Sequence, residues 1–191
     1  MKHAFVSLCT LALVAILLVP ASASAQNAYN VNDKVISAGI GLGNVAGFYG
    51  TTTIPPIFLA FETGLPVEEL KNKLTIGGTV GYAGSSEDYY WAKYSYTYIF
   101  FGVTGNYHFL EKNPKIDAFA GLGLGYSIAN SSVEYKAGYD ANDQYAYSVG
   151  SGYFAYDIHV GARYYFTPKF AVMAELGWGF GIFRIGVSYK L

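Results

Sequence analysis

In the stretch Gly181-Ile182-Phe183-Arg184-Ile185-Gly186-Val187-Ser188-Tyr189-Lys190-Leu191, two kinds of residue alternate. Phe183, Ile185, Val187, Tyr189 and Leu191 fall on one parity; Arg184, Gly186, Ser188 and Lys190 fall on the other. A period of two is the repeat of a β-strand, whose successive side chains point to opposite faces. One face is wholly apolar, while the other mixes charge with glycine. A soluble sheet would bury the first and expose the second. The glycines argue for the reverse, because small residues suit a crowded interior and a charge-free face suits hydrocarbon.

Working back along the chain, seven more stretches read the same way. The eight strands are expected at about 34–44, 56–63, 73–83, 96–109, 115–128, 152–166, 169–179 and 181–191. Strand 2 is expected to be short, since Pro55 and Pro56 cannot donate ladder hydrogen bonds. Outward positions include Ile36, Leu59, Val80, Phe101, Leu124, Val160 and Leu176, and the set of roughly 38 carries no charge. At 13% charged residues in the chain, about 5 would fall there by chance. The expected fold class is therefore all-β, an eight-stranded antiparallel transmembrane up-and-down β-barrel.

The inward positions are small or ionisable. Glycine recurs at every second position, as in Gly121-Leu122-Gly123-Leu124-Gly125. Eight strands enclose an interior just wide enough for side chains to fill. Glu62, Asp117, Asp157 and Glu175 share that interior with His159, Arg163, Arg184 and Lys190. The carboxylates are expected to pair with Arg163, Arg184 and Lys190, because an unpaired buried charge is very costly. His108 is expected to satisfy a turn or an interface near one rim.

Aromatics gather at the two ends of the outward face. Tyr107, Tyr164, Phe170 and Tyr189 mark one edge; Tyr82, Tyr126, Phe154 and Trp178 mark the other. Amphipathic rings suit the boundary between hydrocarbon and headgroups. Connections after strands 2, 4 and 6 are short, and those after strands 1, 3 and 5 are long: Asn44 to Pro55, Gly84 to Ser95 and Ala129 to Ser151. Short periplasmic turns and long external loops fit such a barrel. The connection at Gly179-Phe180-Gly181 is tight instead.

The first segment reads as a signal peptide over residues 1–25, leaving residues 26–191 as one barrel domain. Lys2 and His3 precede an apolar run from Ala4 to Val19, followed by Pro20-Ala21-Ser22-Ala23-Ser24-Ala25. The cut is placed after Ala25, with Ala23 as the alternative. Cys9 is the one cysteine and lies in that run, so the rest of the chain has no thiol for disulfides or Cys-based sites. A net charge of −1 offers no basic surface for nucleic acid.

Phe101-Gly102-Val103-Thr104-Gly105-Asn106-Tyr107-His108-Phe109, followed after a turn by Asp117-Ala118-Phe119-Ala120-Gly121-Leu122-Gly123-Leu124-Gly125-Tyr126, resembles the paired strands of the small eight-stranded outer-membrane β-barrel family, the group of the OmpX- and OmpA-barrel-like proteins. The resemblance implies a cell outer-membrane location, contact with outer-membrane lipid and lipopolysaccharide, and delivery by the outer-membrane assembly machinery. Family members usually end on an aromatic, whereas this sequence ends on Leu191 with Tyr189 two residues before it. The family spans structural, adhesive and enzymatic members, so it does not fix an activity.

Other constellations have plainer readings than the chemistry they suggest. Gly41-Leu42-Gly43-Asn44-Val45-Ala46 matches a dinucleotide fingerprint, but glycine, threonine and proline follow it where a helix is needed. Asp157, His159 and Arg163 on one face, with Glu175 and Arg184 nearby, suit a buried ionic network better than acid–base catalysis. Two histidines outside the first segment, and no cysteine there, do not suggest a metal site. Asp140, Asn142 and Asp143 depart from a full calcium loop. The sequence therefore points to a monomeric, non-enzymatic barrel without cofactor. Its lumen would be filled by side chains, and its Tyr-rich loops would serve surface interaction, adhesion or envelope structure. Those loops carry Gly84-Ser85-Ser86-Glu87-Asp88-Tyr89-Tyr90-Trp91 and Tyr135, Tyr139, Tyr145 and Tyr147. The alternatives are a narrow small-solute channel and a lipid A-modifying enzyme.

Overall fold

The computed structural model describes residues 27–42, 51–110, 113–136 and 148–191. The signal-peptide reading of residues 1–25 lies outside them, as do Gly43 to Ala46, Tyr139, Tyr145, Tyr147 and the Asp140–Asp143 cluster. Eight strands follow in order: β1 Lys34–Leu42, β2 Thr51–Leu65, β3 Leu74–Asp88, β4 Ala92–His108, β5 Ile116–Tyr135, β6 Ser148–Tyr165, β7 Phe170–Trp178 and β8 Phe183–Lys190. Each pairs antiparallel with its sequence neighbours, and β8 closes on β1 through Val35↔Lys190 to Leu42↔Phe183. Over the height that β1, β7 and β8 span, closure leaves no free edge to aggregate.

The register puts the anticipated faces where the alternation placed them. Among the outward positions, Leu122, Leu124, Val103 and Val160 are more than half exposed, while Asp117, Asp157, His159 and Arg163 are buried inside. A molecule that buries its charges and exposes its leucines is solvated by hydrocarbon around its middle.

Three sequence expectations need correction. β2 is not short: it runs for 15 residues straight through Pro55 and Pro56. The ladder pairs Ile54 with Gly84 and Ile57 with Tyr82, so the two prolines stand opposite the single residue Ala83. That is a β-bulge, where missing N–H donors are tolerated. On the other side, the β1 ladder reaches β2 only as far as Ile57.

The stretch Gly84 to Ser95 is not a loop. β3 and β4 continue to Asp88 and from Ala92, leaving residues 89–91 as the turn. β5 likewise extends to Tyr135 and β6 starts at Ser148, so much of Ala129 to Ser151 is strand. At 17 to 20 residues, β4 and β5 far exceed the ~9–11 residues that cross a bilayer. They rise above it as a wall. The outer face records the boundary. Beyond Ile99 come Thr97, Ser95 and Lys93, and beyond Ile128 come Asn130, Ser132 and Glu134. On the inner side, Tyr98 and Ala83 are buried with Tyr96 and Ala129 packed on them. Polar solvent-side and aromatic inner-side patterning masks this segment as loop-like, although period two persists.

The third correction concerns the ends of the lumen. Residues 27–33 pass across the mouth beside the start of β1 and the end of β8, and Lys190 pairs with Asp33 there at 2.6 Å. It does not pair with Glu62, Asp117, Asp157 or Glu175, as the sequence had suggested.

Candidate functional site

The lumen holds one ionic layer made of two clusters. In the lower cluster, Arg163 of β6 reaches across to β2 and β5. Its Nη1 donates to Glu62 Oε1 at 2.9 Å and to Asp117 Oδ2 at 3.1 Å, and its Nη2 donates to Glu62 Oε2 at 3.1 Å. This is the bidentate fork that suits arginine rather than lysine. The guanidinium carbon also lies 4.5 Å from the Phe119 ring centroid. Among the described residues, Arg163 Nε has no hydrogen-bond partner.

His108 belongs to this cluster, contrary to the expectation of a rim residue. It is 1% exposed. Its Nδ1 lies 2.6 Å from Asp117 Oδ1, and its Nε2 faces the Thr75 hydroxyl at 3.2 Å and Glu62 Oε1 at 3.6 Å. The parity of β4 had already put His108 on the inner side with Asn106, and that signal outweighs its nearness to the turn.

In the upper cluster, Arg184 of β8 bridges β6 and β7. Its Nη2 donates to Asp157 Oδ2 at 3.0 Å, and its Nε stands 2.8 Å from Glu175 Oε2. The latter is an ion pair by distance, but the Nε–H is not aimed along a hydrogen bond. His159 Nδ1 lies 2.6 Å from Asp157 Oδ2.

Asn106 joins the clusters, and sequence reading gave it no such role. Its Nδ2 donates to Glu62 Oε2 at 2.5 Å, which turns its Oδ1 toward His159 Nε2 at 2.9 Å. A carbonyl oxygen only accepts, so His159 Nε2 must carry a hydrogen. Its Nδ1 faces the carboxylate of Asp157, which also accepts from Arg184. Gly121 of β5 makes the bridge possible: a Cβ there would overlap Asn106 Oδ1 and the His159 ring. Four carboxylates thus face two guanidiniums and two imidazoles, all buried. Buried charge on this scale persists only when paired throughout.

Little space remains in this layer. A void of about 30 Å³ lies among Ser37, Ala60, Thr104, Asp157, Arg163 and Glu175. That is room for about one or two waters. Above it, the connection after β7 folds inward. Phe180 is buried, its N–H points to Asp157 Oδ1 at 3.4 Å, and its ring meets Phe100 edge-on. Beyond these rings an apolar cavity of about 270 Å³ is lined by Phe58, Ala83, Tyr98, Tyr153 and their neighbours.

The expected girdle residues lie on the outer face. Tyr164, Phe170, Trp178, Tyr82 and Phe154 are exposed, and Tyr107, Tyr126 and Tyr189 are half-buried by neighbours. Phe170 and Tyr189 pack at 4.7 Å between centroids, and Tyr126 meets Phe154 edge-on at 5.7 Å.

No protein-family model matches the chain, and no curated protein matches it. Solved structures do. The structure of Ail, the attachment invasion locus protein of Yersinia pestis, aligns with a TM-score of 0.54 and 13% identity, covering 85% of this chain and 100% of that one. Ail in complex with the heparin analogue sucrose octasulfate gives 0.54 at 12% identity, over 84% and 99%. The N-terminal β-barrel domain of Pseudomonas aeruginosa OprF gives 0.50 at 13% identity, over 84% and 98%. The fold is that of the small eight-stranded outer-membrane barrels. Its charge-free outer band and polar, filled interior suit a barrel set in an outer membrane.

Proposed function

We propose that this outer-membrane barrel is non-enzymatic, and that it works through the wall of β-structure standing above the bilayer. The lumen serves as a rigid ionic core. The observation that carries this reading is the tip of the β3–β4 hairpin. Tyr90 is 81% exposed there, beside Tyr89 and Trp91, whose centroids are 6.2 Å apart. Trp91 meets Tyr94 edge-on at 5.7 Å and Tyr135 of β5 at 6.1 Å. Rings held by one another lose little entropy on binding and are the residues that dominate contact surfaces.

The attachment named for Ail fits a surface role of this kind. The polyanion bound by Ail does not fit this tip, where Glu87, Asp88 and Glu134 outnumber Lys93 and Lys136. A partner for rings among mixed charges is a largely neutral surface. The reading includes interfacial anchoring by the aromatic edges in lipid and lipopolysaccharide, a monomeric state, and removal of residues 1–25 before assembly.

The test is an adhesion assay with cells producing the Tyr90→Ser/Trp91→Ser variant. Adhesion should fall while unboiled protein still migrates as the folded barrel in SDS. Undiminished adhesion by the folded variant would overturn the reading. The channel alternative is opposed by the 30 Å³ void and is checked by planar-bilayer conductance, where a steady open current would favour it.

A further inference from the structure

Residues 27–33 make contacts that a loose leader to β1 does not need. The segment is a turn folded on itself: Asp33 N–H donates to Asn30 O at 3.0 Å, and Asn30 N–H donates to Asp33 Oδ2 at 3.0 Å. It touches the barrel on nearly every side of one mouth. Ala28 is 2% exposed, packs with Tyr165 of β6 and Ala171 of β7, and donates its N–H to Asn113 O at 2.7 Å. Tyr29 lies flat on the His108 ring, with centroids 4.0 Å apart and planes 9° apart. Its hydroxyl donates to Asn72 O at 2.7 Å. At the far side, Lys190 of β8 holds Asp33 Oδ2 at 2.6 Å and Asn27 O at 3.3 Å. Gly64 of β2 donates its N–H to Asp33 O at 3.3 Å. A Cβ on Gly64 would overlap the Val31 backbone, so the strand is cut to fit the crossing segment.

We propose that residues 27–33 are a strap that seals the terminus-side mouth of the lumen and opens as one unit, without unfolding the barrel. The strap roofs the lower ionic cluster, since Tyr29 covers His108 and His108 contacts Asp117 and Glu62. Apart from Ala28 against Tyr165 and Ala171, its fastenings are polar and lie at the rim, while the strands below are fixed by continuous ladders. Segments with few buried apolar contacts open at lower free energy than the ladders they cover. Burial, with Glu62, Asp117 and Asp33 nearby, holds the Tyr29 hydroxyl above its ordinary titration range, so it stays a neutral donor. With the strap closed and Phe180 over the other side, the ionic layer is shut off from both compartments.

The test uses the full chain in a Cys9→Ser background carrying Ser188→Cys. Ser188 is 1% exposed and lies two residues above Lys190 on the inner face. A charged, membrane-impermeant methanethiosulfonate reagent should label it slowly. Adding Tyr29→Ala/Asp33→Ala should speed labelling at least about tenfold, while a reporter at the opposite mouth, Ala83→Cys, keeps its rate. The charge-reversed pair Asp33→Lys/Lys190→Asp should restore slow labelling. Equal Ser188→Cys rates with and without the fastenings, or equal acceleration at Ala83→Cys, would overturn the strap. Hydrogen exchange on the unaltered protein gives an answer even if the variants fail to fold. The Ala28, Asp33 and Gly64 amides should share one opening rate, faster than β4–β5 ladder amides. Exchange only together with the ladder would overturn independent opening.

Discussion

His159 Nε2 meets Asn106 Oδ1 at 2.9 Å, and this one contact joins the two halves of the lumen. On its other side Asn106 Nδ2 meets Glu62. The neutral amide thus passes a hydrogen-bond chain between clusters that hold all the large charges of the layer. Replacing it with leucine keeps much of the volume but leaves His159 Nε2 without its acceptor and Glu62 Oε2 with Arg163 alone, in a buried layer. Asn106→Leu should cost about 1–3 kcal/mol, or more because charged groups are stranded. A urea titration of the detergent-folded barrel measures it, and an unchanged midpoint would show that the bridge is dispensable.

Arg163 serves two carboxylates with two nitrogens. Arg163→Met should destabilise by about 3–5 kcal/mol, because Glu62 and Asp117 are then left buried without their cation. Arg163→Lys should recover only part of this, since a point ammonium does not reproduce the fork. Removing the charge on both sides, with Glu62→Gln and Asp117→Asn added to Arg163→Met, should be milder than Arg163→Met alone. Additive losses in that series would mean that the groups act independently.

Val160 faces outward at 56% exposure in the part of β6 paired with β7, and Ser132 faces outward on the wall of β5. Val160→Arg should cost about 2–4 kcal/mol if hydrocarbon surrounds it. Ser132→Arg, above the polar switch after Ile128, should change stability by less than about 0.5 kcal/mol. The contrast between the two sites locates the membrane edge. Equal effects at both would move that edge or remove it.

The barrel was legible because alternation is a local property: any five residues of β8 show which side is oily. Pairing partners were legible only as far as parity goes. Parity put Lys190 inside, yet its partner Asp33 sits in a non-periodic segment that no strand rule describes. Asn106 was on the right face but drew no notice, since an amide carries no charge to count. The tall wall was hidden because both of its faces change character at the membrane edge. Threonine, serine and lysine replace leucine outside, and tyrosine replaces glycine inside, so the apolar signature fades while the ladder continues. The bulge at Pro55–Pro56 depends on what β3 places opposite, which β2 alone does not reveal.

The hairpin tip offers a pH-dependent test separate from the core. Lys136 Nζ lies 2.5 Å from Asp88 Oδ1, tying β5 to the end of β3. That hydrogen bond and the Lys136 charge hold the Asp88 carboxyl below its ordinary value. A carboxylate depressed in the folded state stabilises it above the ordinary carboxylate range, and the contribution is lost as pH falls through the depressed value. The pair is solvent-exposed, so its effect should be confined to local order at the tip. In a Trp178→Phe background, Trp91 is the single indole and reports on that order, because it packs on Tyr89, Tyr94 and Tyr135. Trp91 emission should shift toward that of a solvated ring on acidification, with a midpoint below that of a free aspartate. The Lys136→Ala variant should show the shifted emission already at neutral pH, with the urea midpoint of the barrel unchanged. A pH-independent emission in both proteins would mean that the rings, not the ion pair, hold the tip.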